Sequence, residues 1–401
     1  MKLGDESLIG QNKILRHLKS KRVGLVCHPA SVDHKLQHAL DFLSEKIKFS
    51  CVFGPQHGAR GEKQYNMIES NDYIDPIHKI PVFSLYGKVR KPTEQMMQHF
   101  DSLLFDLQDL GCRIYTFITT LLYLMQACAE HHKELIILDR PNPAGRAVEG
   151  LALQPGWESF VGAAPIPMRH GLTIGELALY YQKKFNLNLN LRIIKMSGYK
   201  PNDKPGYGWP ADLPWVNPSP NASTLNMARV YSGTVLIEGT HLSEGRGTTR
   251  ALEVVGAPGL DFLRIYAGMQ KKSPQGKRCW LQGIFIRPCY FEPTFYKYKG
   301  ELCYGLQLHT DFPGYRPTLA KPYRVIALLL KTLREIYPDY DLYRNFTYEY
   351  VENKLAFDVI NGGPRLRDWI DDPSAHCGDL QKMLLREENE WRTESAEFHL
   401  Y

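Results

Sequence analysis

Along the first two hundred residues, short runs of apolar and β-branched residues alternate with longer stretches in which apolar positions recur every three to four. The runs are RVGLVCH (22–28), FSCVFG (49–54), IPVFSLYG (80–87), SLLFDLQ (102–108), ELIILD (134–139) and LRIIKM (191–196). The helical period appears between several of them, in LQHALDFLSEK (36–46), PTEQMMQHF (92–100), ITTLLYLMQACAEHH (118–132) and TIGELALYYQKKF (173–185). Strands that are hydrophobic throughout need cover on both faces, and the intervening helices supply it. The pattern predicts an α/β fold built on a Rossmann-like, mostly parallel sheet.

From residue 201 the texture changes. PNDKPGYGWPADLPWVNPSPNAS (201–223) predicts an ordered loop with turn chemistry. In VLIEGTHLSEGRGTTRALEVVGAP (235–258), strand-forming residues lead into a Gly/Thr-rich polar turn. Farther on, GIFIRPCYFEPTFYKY reads as strand, and RVIALLLKTLREIY (324–337) and DLQKMLLREENEWRTE read as helices. A chain of 401 residues exceeds the roughly 250–300 at which one hydrophobic core stops growing. Two domains are therefore expected: a Rossmann-like catalytic domain over 1–255, and a smaller α+β C-terminal domain over 256–401 that completes a cleft.

In open α/β sheets, ligands bind beyond the carboxyl ends of the strands, and the polar motifs fall there. His28 follows the first run and PQHGARGEKQ the second; SLYG closes the third, DLQDLGCRIYT the fourth and DRPNPAGRAVEG the fifth. Five turns on one sheet edge predict one shared pocket, in which Arg60, Tyr86, Asp109 and Asn142 come together.

Composition narrows the partners. The chain is 43% hydrophobic and 23% charged, as expected of a globular protein, and its 49 Lys+Arg against 43 Asp+Glu leave a mild positive surplus. KKSPQGKR (271–278) is the densest basic cluster. It is short and interrupted by Ser-Pro, which fits a solvated loop and not a nucleic-acid footprint. No apolar run approaches the roughly 18 residues of a membrane span. The N-terminus carries Asp5 and Glu6 and lacks the apolar core of a secretory signal. The eight cysteines include no C-x-x-C pair, which predicts reduced structural thiols in a cytoplasmic protein.

Several chemistries lack their motifs. No G-x-G-x-x-G follows the first strand, no Walker A sequence occurs, and EGRGTT has neither its spacing nor its Lys. The histidines do not combine with carboxylates at a recognised metal-ligand spacing, and no G-x-S-x-G is present. Thr173 and Glu176 have the spacing of a helix capping box. Carboxylates at the sheet edge remain, and glycoside hydrolysis uses a protonated acid with a second group that stabilises or attacks the sugar cation. The supply is Glu62, Glu69, Asp106, Asp109, Asp139, Glu149, Glu238 and Glu244. Some of these have structural roles open to them: Asp106 as a buried partner, Asp139 as the anchor of the RPNP turn, and Glu62 and Glu69 as solvated loop residues. Tyr86, Tyr115, Trp209 and Trp215 offer faces on which sugars stack, or core. Arg60, Arg113, Arg140 and Arg246 either receive a carboxylate on the ligand or pair with neighbouring acids.

Seven stretches in order, PQHGARG, SLYG, FDLQDLGCRIYTF, LDRPNPAGRAVEG, HGLTIGELA, PWVNPSPN and LIEGTHLSEGRGTT, resemble the NamZ-type exo-β-N-acetylmuramidases from about residue 20 to 260. LQLHTDFP and FDVINGGPRLRDWI carry a looser likeness to the family's second domain. The resemblance implies release of terminal N-acetylmuramic acid from the non-reducing ends of peptidoglycan fragments, in a cleft between the two domains and without a cofactor. It suggests a place in cell-wall recycling, with a small muropeptide or disaccharide as the partner. The lactyl carboxylate of the sugar would give the arginines a purpose. On the matching motifs, His57 and Tyr115 are expected next to the reacting bond. His28, Arg60, Tyr86, Gln108, Asp109, Arg113, Arg140, Asn142, Glu149, His170, Glu244 and Arg246 are expected to bind substrate.

One position departs. Many family members read Pro-Glu-His-Gly where this chain has Pro55-Gln56-His57-Gly58, and that glutamate is a leading candidate for the acid. A glutamine amide donates a hydrogen bond but delivers no proton. The acid is then expected from Glu69, or from Glu62 on the same loop. The alternatives are a protein that binds the sugar without cleaving it, and a hydrolase for a different acidic sugar.

Overall fold

A computed structural model of the chain describes residues 1–61, 68–276 and 279–401. In chain order the first six strands are β1 (Val23–Cys27), β2 (Phe49–Gly54), β3 (Tyr73–Ile74), β4 (Pro81–Ser84), β5 (Ser102–Asp106) and β6 (Glu134–Leu138). β7 (Glu149–Ala152) and β8 (Pro167–Arg169) form a separate antiparallel pair. β9 (Asn190–Ile194) returns to the main sheet, and β10 (Val254–Ala257), β11 (Phe285–Phe291) and β12 (Cys303–His309) form a third sheet.

The main sheet has the order β3-β4-β2-β1-β5-β6-β9. Every pairing in it is parallel except β3 with β4 at the edge. The chain steps outward from β1 through β2 to β4 on one side, then through β5, β6 and β9 on the other. The sheet therefore reverses direction between β1 and β5, the arrangement that opens a crevice at the strand ends. Val23, Leu25 and Cys27 face a cluster with Leu40, Leu43 and Ile136, while Val26, Phe53 and Phe105 face the helix Phe117–Glu130. This two-sided burial is what the unbroken apolar runs predict. The capping box forms as expected: Thr173 Oγ1 accepts from Glu176 N and Glu176 Oε2 accepts from Thr173 N, opening the helix Ile174–Lys184.

The second region packs the helices Leu225–Thr234, Phe262–Lys272 and Pro322–Ile336 beside the sheet β10-β12-β11. Its core continues without a break into that of the main sheet. The expected boundary at 255 falls inside β10. One expectation is corrected here. Val235–Gly239 is a buried 3₁₀ turn continuing the helix Leu225–Thr234, and not a strand. Gly239 presses directly on Phe357, where an added Cβ would lie 2.6 Å from the backbone. Burial on all sides overrides the β preference of Val235 and Ile237. All eight cysteines are free thiols. Among the described residues, no helix is long and apolar enough to cross a membrane.

Candidate active site

β2 ends at Gly54, and the chain turns at once. Gly58 N donates to Pro55 O at 2.9 Å, with His57 at φ +74° and Gly58 at φ +86°. A non-glycine residue in the left-handed region costs conformational energy, and here it turns Gln56 and His57 into the same pocket. Thr116, at the start of the helix after β5, donates through Oγ1 to Gln56 Oε1 at 2.9 Å. This bond fixes the amide so that its NH2 points the other way. Gln56 Nε2 then donates to Glu349 Oε1 at 3.2 Å.

Glu349 is the central carboxyl. It comes from the loop before the helix Ala356–Asn361, and its second oxygen accepts from the Tyr86 hydroxyl at 2.8 Å. It is 4% exposed. Burial penalises its charge and the nearby Glu238 adds repulsion, while the Tyr86 and Gln56 bonds oppose them; the result is a pKa raised to about 7. The preceding residue orients a second carboxyl. Tyr348 OH donates to Glu238 Oε2 at 2.9 Å, and Arg246 Nη2 donates to Glu238 Oε1 at 2.8 Å. Arg246 Nε reaches Glu244 at 3.1 Å, and Glu244 also accepts from Lys297 Nζ at 2.8 Å. These cations hold the Glu244 carboxyl below its ordinary range despite its burial.

Tyr115, Val161, Ser219, Asn221, Met227 and Tyr231 complete the walls. Tyr115 packs on Phe117 and edge-on to Tyr231, and burial pushes its phenol well above the ordinary value. The pocket's cavity volume is about 30 Å³, enough for water. Among the described residues, no group of three or more His, Cys, Asp or Glu is placed to hold a metal. A carboxyl poised near neutrality beside an ion-paired carboxylate is the equipment of general acid catalysis.

The chain matches the family model described as exo-beta-N-acetylmuramidase NamZ, N-terminal, over residues 23–226, and its C-terminal counterpart over 229–401. The chain belongs to the NamZ family. It is 39% identical to the peptidoglycan beta-N-acetylmuramidase NamZ of Bacillus subtilis (strain 168), a match that spans 89% of this chain and 81% of that protein. Two DUF1343 family proteins from Bacteroides fragilis NCTC 9343 superpose over the whole chain and 98% of their own length. Their TM-scores are 0.84 and 0.72, at 30% and 26% identity.

Within this NamZ fold the expected site residues divide. Gln56, His57, Tyr115 and Arg246 line the pocket, while Tyr86 and Glu244 stand directly behind it. Glu69 is half exposed at the rim, with its Oε1 3.3 Å from Tyr350 OH. Glu62, and Lys277 and Arg278 of the basic cluster, lie outside the described residues.

The others build the scaffold instead. Arg60 pairs with Asp41 and Asp75. Arg140 is buried between Asp106 and Asp5, so Asp106 is the structural partner its strand position allowed. Arg113 donates to four carbonyls, those of Leu151, Ile166, Ile360 and Asn361, and burial lowers its pKa to about 10. Both ring nitrogens of His28 face backbone N–H groups, those of Ala30 and Gln108, and Gln108 spends its amide on Asp109 O and Pro141 O. Asp109 holds His170 and the Gly111 N–H. Asn142 ties Ala144 N to Leu172 O. Glu149 accepts from Tyr323 N and Arg324 N, closing the start of the helix Pro322–Ile336. The convergence of five turns is thus partial: Tyr86 reaches the pocket, whereas Arg60, Asp109 and Asn142 do not. Trp209 and Trp215 pack on each other away from it.

Glu349 escaped the sequence reading because attention stayed on the strand ends of the first domain. A signal was present. In FTYEYV the glutamate sits among three aromatic residues with no helical period, a setting that desolvates a carboxyl.

Proposed function

We propose that this NamZ-family chain is a glycosidase releasing terminal N-acetylmuramic acid from the non-reducing ends of peptidoglycan fragments, with Glu349 as the proton donor, in the recycling of cell-wall material. The observation that carries this reading is the position and state of Glu349. It is buried in the pocket, held by Gln56 and Tyr86, and half protonated near neutral pH. The glutamine at 56 thus orients the acid in place of being it.

The chemistry follows from these groups. Glu349 transfers its proton to the glycosidic oxygen as the bond from that oxygen to the anomeric carbon breaks. Glu238, held by Arg246 and Tyr348, faces the positive charge that develops on the ring. Water adds at the anomeric carbon, and the proton it sheds restores the enzyme. The net change is one water consumed and two hydroxyl-bearing fragments released.

A chromogenic β-N-acetylmuramide and a muramic-acid–glucosamine disaccharide test the reading. Wild-type protein is expected to liberate N-acetylmuramic acid from both. Glu349→Gln is expected to lower turnover by roughly 10²–10⁴-fold, the usual worth of a positioned acid, while still binding the disaccharide. Tight binding by wild type without turnover would identify a sugar-binding protein, and full turnover by Glu349→Gln would remove this residue from the mechanism.

A further inference from the structure

Among the described residues, the charged side chains next to the pocket are mostly paired. Arg246 bridges Glu238 and Glu244, and Lys297 pairs with Glu244. Arg90, near Glu349, has only a loose ion pair among the described residues. Its Nη2 lies 3.9 Å from Glu69 Oε1, beyond hydrogen-bonding distance, and the Glu69 side chain is 51% exposed. Arg90 Nε and Nη2 are both buried with no hydrogen-bond partner among the described residues. Buried polar groups in native proteins are satisfied with few exceptions, so each exception calls for a reason.

These two nitrogens form one edge of the guanidinium. The same edge of Arg140 donates to both oxygens of Asp106, at 2.5 and 2.8 Å. That is the fork geometry which suits a carboxylate. Aromatic rings hold the Arg90 plane in place: the guanidinium carbon is 3.4 Å from the Tyr350 ring centroid, 5.7 Å from that of Tyr86 and 5.9 Å from that of Phe160. Stacking on a ring face fixes the plane and leaves the donor edge for another group. Tyr86 is also the residue whose hydroxyl holds Glu349. The open edge is therefore one ring away from the acid.

We propose that Arg90 receives the carboxylate of the substrate in a side-on, two-hydrogen-bond pairing, and so selects N-acetylmuramic acid over the same sugar without its lactyl group. The assignment rests on the reading of Glu349 as the acid of a muramidase. In the sugar, the lactyl ether at C3 and the bond broken at C1 lie on the same ring, two carbons apart. Arg90 and Glu349 both contact Tyr86, the first at its ring and the second at its hydroxyl.

The test is calorimetric binding of N-acetylmuramic acid, its lactyl methyl ester and N-acetylglucosamine to wild type, Arg90→Gln and Arg90→Lys. The same series of chromogenic glycosides is then followed kinetically. Wild type is expected to favour the free acid over the ester by about 10–100-fold, the worth of a charged hydrogen-bonded pair. Arg90→Gln should erase that preference and leave ester binding close to wild type, which also shows that the variant is folded. Arg90→Lys should recover part of it. An acid-over-ester preference that survives in Arg90→Gln, or its absence from wild type, overturns the proposal. Because binding is read apart from turnover, a wild type that selects the acid but cleaves nothing would fail the muramidase reading and keep this one.

Discussion

At position 56 the amide accepts from Thr116 and donates to Glu349, two bonds of opposite sense that a carboxylate cannot both make. The donation stabilises charge on Glu349, while burial and Glu238 resist it more strongly, leaving the pKa at about 7. An acid must carry its proton to act, so kcat/KM is expected to fall as pH rises through about 7; the pH–rate profile of wild type reads this directly. Gln56→Glu would place a second carboxyl at 3.2 Å from the first. Two such groups share one proton and release the last of it later. The basic limb of the profile should then move upward, and a limb that stays in place would show that another group titrates. At this scale the sequence was legible where a turn dictates direction, as at His57 and Gly58. It was silent at Glu349, whose role depends on a partner 293 residues away.

Elements were far more legible, because period and burial are properties of a local stretch. The main-sheet strand runs and the capping box at Thr173 emerged close to where the pattern placed them. Val235–Gly239 did not, since its surroundings come from residue 357. One helix carries a position where propensity and packing oppose each other. Gly233 lies in the helix Leu225–Thr234, which also carries Met227 and Tyr231 to the pocket. In an isolated helix, alanine there would gain up to about 1 kcal/mol. Here a Cβ would stand 2.1 Å from Pro322 O at the start of the neighbouring helix, and backbone does not yield cheaply. Packing wins, and Gly233→Ala is expected to lower stability by about 1–3 kcal/mol, measured by denaturant unfolding.

For the whole molecule, the two regions are joined by buried hydrogen bonds that cross between them. Arg113 spans both with its four carbonyls, Trp391 donates to His170 O, and Tyr401 OH donates to Asp139 at 2.8 Å. Burial, with the nearby Glu176, raises the Asp139 carboxyl to about 7. In the unfolded chain it titrates near 4. Between these values the folded state keeps a proton that the unfolded state has lost, so its share of stability is complete below pH about 4 and drains away up to about 7. His28, which burial holds well below its ordinary value, contributes with the opposite sign. The difference between variants isolates the carboxyl. Wild type should lose stability relative to Asp139→Asn by about 1.4 kcal/mol per pH unit across that window, read from unfolding curves at pH 4, 5, 6 and 7. A difference that does not change with pH would place the Asp139 pKa at its ordinary value.

The carboxyl we propose as the proton donor and the residues that hold it are separated by most of the polypeptide: Gln56, Tyr86 and Thr116 are made early, Glu349 late. All the strands of the main sheet lie before residue 195, so they are synthesised well before Glu349. With Glu349 as the acid, the ability to cleave arrives in one step, when the final quarter of the protein is made and settles against what was built before it.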